Sequence, residues 1–111
     1  MTDDVIVKNE VLNDGRTVHL YYSEMYKEYV AYGFSAYIAK NVEPKLGVGA
    51  RPYISYSKSM QMPMLCVNED NLRSLQAQMV MLENNKKYIC LQGEYRLDEE
   101  KYSKWASFIR G

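Results

Sequence analysis

The sequence predicts an α+β domain of two layers, an antiparallel or mixed sheet of about five to six strands with two C-terminal helices on one face. Three observations predict it. Short runs of alternating apolar residues recur through most of the chain. Turn-forming residues punctuate those runs. The chain also carries two helix signatures, each with a capping residue and acidic residues in the first turn. At 111 residues, the chain suits one domain with one core.

In chain order, Val5 to Leu12 reads as a first strand. Asn13-Asp14-Gly15 supplies the positive φ angles of a tight turn, and Thr17 to Ser23 alternates again, with Val18, Leu20 and Tyr22 on one face. The pair is expected to form a hairpin. Glu28 to Ala39 is the longest run with one consistent reading, a central strand. Val30, Tyr32, Phe34, Ala36 and Ile38 fall on one face, and Tyr29, Ala31, Gly33, Ser35 and Tyr37 on the other. The helical alternative uses Ser23 as N-cap, ends at Asn41 and Pro44, and gathers Met25, Tyr29, Tyr32, Ala36 and Ala39 into a stripe.

Asn41 to Pro52 holds two prolines and two glycines and reads as a loop. Its KLGVGAR segment lacks the spacing of a phosphate-binding loop. Tyr53 to Ser57 and Met64 to Val67 read as short strands. A helix starts at Asn68 or Asp70 and carries Leu72, Leu75, Met79 and Leu82 on one face as far as Asn84 and Asn85. Lys87 to Tyr95 reads as a strand, so Met64 to Gln92 forms a candidate βαβ crossover. Asp98 caps the last helix. There Tyr102, Trp105, Ala106 and Ile109 share a face, and Trp105 is the largest apolar anchor available to dock it.

Composition narrows the function. The 14 basic and 14 acidic residues balance, so no global field attracts nucleic acid or an anionic membrane. No apolar run approaches the roughly 20 residues that span a bilayer. The start, MTDDVIVKNE, is acidic before it is apolar, unlike a secretory signal. A cytoplasmic protein with no membrane association is expected. Cys66 and Cys90 are then small buried hydrophobes.

Tyrosine is the compositional outlier, with 11 in the chain against 2 Phe. If the helices cover one sheet face, Tyr21, Tyr29 and Tyr37 would line the other, a surface suited to a protein partner. The same rings paired across strands would serve only to stabilise the sheet. The second outlier is Met60-Gln61-Met62-Pro63-Met64, within a loop from Ser57 to Met64, where pliable thioethers suit a contact patch. Cu(I) held by these methionines with Cys66 next in phase, completed by His19 and Trp105, is the sharper reading and has less support, since an export signal is not evident. Carboxylates cluster at Asp3-Asp4, Glu69-Asp70 and Asp98-Glu99-Glu100 without forming an evident acid–base pair.

The expected function is a small non-enzymatic binding module without a cofactor. It would contact a protein partner or its own copy through Tyr21, Tyr29 and Tyr37, or through Met60 and Met62. A single-stranded nucleic-acid binder is the alternative, which the net charge does not support. A small enzyme with an unrecognised pocket is the third reading.

Overall fold

The computed structural model describes residues 2–43 and 54–111. The described residues fold as an α+β domain with four helices and a six-stranded antiparallel sheet. In order, the elements are α1 (Asp3–Val11), β1 (Thr17–Ser23), β2 (Glu28–Tyr32), α2 (Gly33–Val42), β3 (Ile54–Ser57), β4 (Met62–Val67), α3 (Glu69–Gln78), β5 (Val80–Asn84), β6 (Tyr88–Gln92) and α4 (Glu99–Arg110). Across the sheet the order is β3-β4-β2-β1-β6-β5, and every neighbouring pair is antiparallel. The expected glycine-rich loop falls largely outside the described residues, as does the start of the strand expected from Tyr53.

The first expected strand is a helix. Val5, Ile6 and Val7 favour extension, but Thr2 caps the segment by accepting from Val5 N (3.4 Å), and Asp3 and Asp4 sit at the positive end of the dipole. Ile6 and Glu10, one turn apart, are its buried residues. The Asn13–Gly15 turn is present and Gly15 has φ +84°, but it joins a helix to a strand rather than two strands. Asn13 Oδ1 accepts from Gly15 N (2.9 Å), and Asp14 Oδ1 accepts from Arg16 N (2.9 Å), so the turn is built from its own side chains.

The long central strand is two elements. It runs as β2 to Tyr32 and enters α2 through Gly33, at φ +55°. That left-handed conformation breaks the period-two pattern and is cheap only for glycine. The helical alternative is also half right: the helix exists and ends near Asn41, but it starts at Gly33 rather than after Ser23.

The β1–β2 hairpin contains no glycine. Its four turn residues end on Lys27 at φ +55°, and Ser23 Oγ accepts from Tyr26 N (3.2 Å). The β3–β4 hairpin repeats this arrangement, with Gln61 at φ +54° and Ser57 Oγ accepting from Met60 N (3.3 Å).

The helix that begins at Asn68 is shorter than expected. Asn68 Oδ1 accepts from Asn71 N (2.9 Å), as a cap should. Met79 is already extended, and Val80–Asn84 forms β5 instead of two further helical turns. Asn85 decides this boundary: its Oδ1 accepts from both Lys87 N and Tyr88 N (2.9 Å each), turning the chain into β6. Leu82 therefore lies on a strand, where the pairing with β6 shifts register. The expected βαβ crossover is absent. β6 lies three places from β4 and antiparallel to it, while α3 carries the chain to β5 at the far edge.

One sheet face carries Val18, Leu20, Ala31, Leu65, Val67, Ile89 and Leu91. They form a single buried cluster with Ala36, Ile38 and Ala39 of α2 and Leu75 of α3. α4 starts at Asp98, whose carboxylate accepts from Glu100 N (3.0 Å) and Lys101 N (3.2 Å). Trp105 docks α4 on this cluster but is only half-buried, against Tyr37 with ring centroids 5.3 Å apart. Trp105→Ala should therefore lower stability by about 2 kcal/mol in urea unfolding, short of the cost of a fully buried ring. The other face carries a smaller cluster of Val30, Met64 and Cys66 beside Tyr32. α1 reaches this side through Asn9 Nδ2, which donates to Tyr21 Oη (2.8 Å).

Candidate functional site

The register of the first hairpin decides the fate of the tyrosine face. Tyr21 lies opposite Val30, and Tyr22 opposite Tyr29, so odd positions of β1 share a face with even positions of β2. Tyr21 and Tyr29 thus point to opposite sides of the sheet. Tyr21 is buried and bonded to Asn9, while Tyr29 packs on Tyr22 and its hydroxyl donates to Lys86 O (3.0 Å). Tyr37 lies on α2, buried against Tyr102 and Trp105. The expected single surface of Tyr21, Tyr29 and Tyr37 does not form, because the four-residue turn sets an odd register and Gly33 ends the strand. Met60 sits half-buried in the β3–β4 turn, and Met62 opens β4.

Met62 belongs to a cleft of about 320 Å³ that four parts of the chain build together. The C-terminal end of α1 contributes Glu10 and Val11, with Asn13 just beyond it. The entry to α2 contributes Gly33 and Phe34, the β3–β4 turn adds Gln61 beside Met62, and α4 closes the cleft with Glu99 and Tyr102. Phe34 and Tyr102 meet edge to face, with centroids 4.8 Å apart. Gly33 lets these walls approach: an added Cβ would lie 3.1 Å from Met62 Sδ and 3.4 Å from Glu10 Cγ.

Glu10 is the chemical centre of the cleft. Its residue is 5% exposed, and its carboxylate caps a helix from outside that helix. Tyr32, at the N-cap position of α2, offers no side-chain bond. Glu10 Oε1 accepts from Ser35 N (2.9 Å) instead, and Oε2 accepts from Ser35 Oγ (2.6 Å). Asn13 Nδ2 donates to Glu10 Oε1 (3.3 Å) and to Thr17 O (2.7 Å), which ties α1 to β1. Ser35 Oγ also accepts from His19 N (2.9 Å), an N–H left over where the β1–β2 pairing ends at Tyr21 and Val30. α1, β1 and α2 therefore meet on one buried polar unit, and no buried side-chain polar atom among the described residues lacks a partner.

Burial pushes the Glu10 carboxyl up to about 7, against the opposing pull of the bonds from Ser35 and Asn13. Burial likewise pushes the Tyr102 phenol up to about 12. Desolvation lowers His19, whose Nδ1 lies 2.6 Å from Tyr88 Oη away from the cleft. Asp14 borders an adjoining hollow that shares Asn13, Phe34 and Glu99 with the cleft. Bonds from Arg16 N and Thr17 Oγ1 bring its carboxyl below the usual range, outweighing its desolvation.

Of the five binding residues expected from the sequence (Tyr21, Tyr29, Tyr37, Met60 and Met62), only Met62 lines this cleft. Glu10 and Ser35 were hidden inside runs read as strands. The available signal was Thr2 followed by Asp3 and Asp4, a helix start that places Ile6 and Glu10 on one inward face. Among the described residues no group of three or more His, Cys, Asp or Glu is arranged to hold a metal, and no helix is long and apolar enough to cross a membrane. No family model, curated protein or solved structure matches this chain.

Proposed function

We propose that this chain is a small non-enzymatic binding module that holds a segment of a protein partner in the cleft beside the methionine-bearing turn. The observation that carries this reading is the cleft itself, in which apolar Met62, Phe34 and Val11 surround the polar Glu10 and Asn13. The apolar character extends beyond the rim: Val11 is 75% exposed and its neighbour Leu12 is 70% exposed, a surface for residues flanking the one inserted. Both oxygens of Glu10 are already engaged by Ser35 and Asn13, an arrangement that favours holding a ligand over moving a proton through a reaction cycle.

Peptides selected from a random display library on the folded protein test this. They should shift amide resonances of Phe34, Met62 and Tyr102, and Met62→Arg should abolish binding while shifting the thermal midpoint by no more than a few degrees. Selected peptides that map elsewhere, or that survive Met62→Arg, would remove the cleft from the account.

A second surface supports self-association. β5 is an outermost strand with all five residues exposed, Val80 at 66% and Leu82 at 56%. An unpaired strand edge with apolar side chains is a template for another strand. Antiparallel pairing of two copies about Leu82 would set Glu83 against Met81 and bring no like charges face to face. Sedimentation should then show a concentration-dependent dimer that Leu82→Lys converts to monomer. Wild-type protein that stays monomeric at millimolar concentration would refute this second reading.

A further inference from the structure

We propose that the cleft takes the cationic head of a lysine or arginine side chain from the bound segment, paired with the Glu10 carboxylate. This rests on the cleft being the protein-binding site.

The lining supplies the argument. Among the described residues none around the cleft or around the adjoining hollow is basic, while Glu10, Glu99 and Asp14 bring three carboxyl groups. Glu10 differs from the other two because it is buried. A carboxylate out of water costs least when a cation answers it. Glu10 has three neutral donor contacts, from Ser35 N, Ser35 Oγ and Asn13 Nδ2, and no ion pair among the described residues. The titratable groups facing it from other elements add no positive charge. They are Tyr21 on β1, Cys90 on β6 and Tyr102 on α4, with Glu99 in the same cleft. Among the described residues, the cleft thus holds a buried acid without a counter-ion.

The walls fit the rest of such a side chain. Val11 and Met62 give apolar contact for a methylene stem. The paired rings of Phe34 and Tyr102 place π-systems beside the path to Glu10, and such rings attract ammonium and guanidinium groups. The occupant is a protein segment rather than a free amine because exposed Val11, which lines the cleft, and its chain neighbour Leu12 reward flanking residues that a free amine lacks.

Binding would move a proton. Below about pH 7 the folded protein holds Glu10 as the neutral acid. The entering ammonium stays charged, Glu10 gives its proton to the solvent, and the carboxylate that remains pairs with the cation. At pH 7 about half a proton per site should leave on binding, and almost none at about pH 9.

The test uses three probes on the full chain: Ac-Leu-Lys-Leu-NH2, the same peptide with norleucine for lysine, and butylamine. Each is followed by amide shifts of the cleft residues, with calorimetry in two buffers to count protons. The lysine peptide should bind about tenfold or more tightly than either other probe, and Glu10→Gln should erase both that preference and the proton release. Glu99→Gln, on the exposed rim, should weaken binding by a smaller factor and leave the proton count unchanged. Equal affinity for lysine and norleucine peptides would overturn the cation inference while leaving the cleft as a peptide site. Equal affinity for butylamine would assign it to free amines. If neither peptide shifts the cleft residues, both readings fall.

Discussion

Glu10→Gln should remove most of the pH dependence of stability between about pH 4.5 and pH 8, and should stabilise the fold at the upper end of that range. The folded-state carboxyl sits near 7 and its ordinary value is 4.5. Between those values the folded protein keeps a proton that the unfolded chain has released. Stability from this group is therefore complete below about pH 4.5 and is lost as the pH rises through 7. The full swing is roughly 3 kcal/mol. Glutamine keeps the geometry: its carbonyl oxygen can accept from Ser35 N, and its amide can donate to Ser35 Oγ. His19 works in the opposite sense. Its depressed value means that its contribution is present above 6.5 and is lost as the pH falls. The difference between wild type and Glu10→Gln, from urea unfolding at a series of pH values, isolates Glu10 from His19.

Ser35→Ala should lower stability by about 3 kcal/mol at neutral pH, a large effect for the loss of one oxygen. Ser35 is fully buried, and its hydroxyl serves two close partners at once, with Asn13 Nδ2 a third at 3.4 Å. It donates to Glu10 Oε2 and accepts from His19 N. Removing it strands a backbone N–H on the first strand and takes a donor from a buried carboxyl. The same change should raise the Glu10 midpoint further, since the Ser35 hydroxyl favours its ionised form. Urea unfolding gives the first effect and a carboxyl titration the second. Double-mutant analysis with Glu10→Gln should show strong coupling, because both act through one hydrogen-bonded unit.

Particular residues explain what was legible in the sequence. β1 was readable because Val18 and Leu20 alternate cleanly with His19 and Tyr21, and α4 because Asp98 caps a regular apolar face. Both elements rest on local pattern and local chemistry, and both are where the pattern put them. The misread segments are those in which a cap, a turn residue or a distant group overrides the apolar pattern. Val5 to Leu12 satisfies a strand on composition, yet Thr2 caps it as a helix and Glu10 ties it to α2. Glu28 to Ala39 alternates throughout, yet Gly33 takes a left-handed turn under a carboxylate supplied from α1. Met79 continues the apolar stripe of α3, yet Asn85 folds the next residues back as a hairpin.

The cleft was illegible for the same reason. Its walls come from residues as far apart as Glu10 and Tyr102, brought together only once the sheet order is set. The tyrosines stand out by number, but register and burial divide them among separate duties. Tyr21 anchors α1, Tyr29 closes the β5–β6 turn, and Tyr37 packs beneath α4.

The most direct test of the account is the ionisation of Glu10 itself, followed by the side-chain carboxyl carbon in a protein labelled with 13C at glutamate and assigned by comparison with Glu10→Gln. The buried carboxyl capping α2 should titrate with a midpoint near 7. A midpoint near the ordinary 4.5 would mean that Glu10 is already ionised at neutral pH, and both the pH dependence of stability and the proton released on binding would be contradicted.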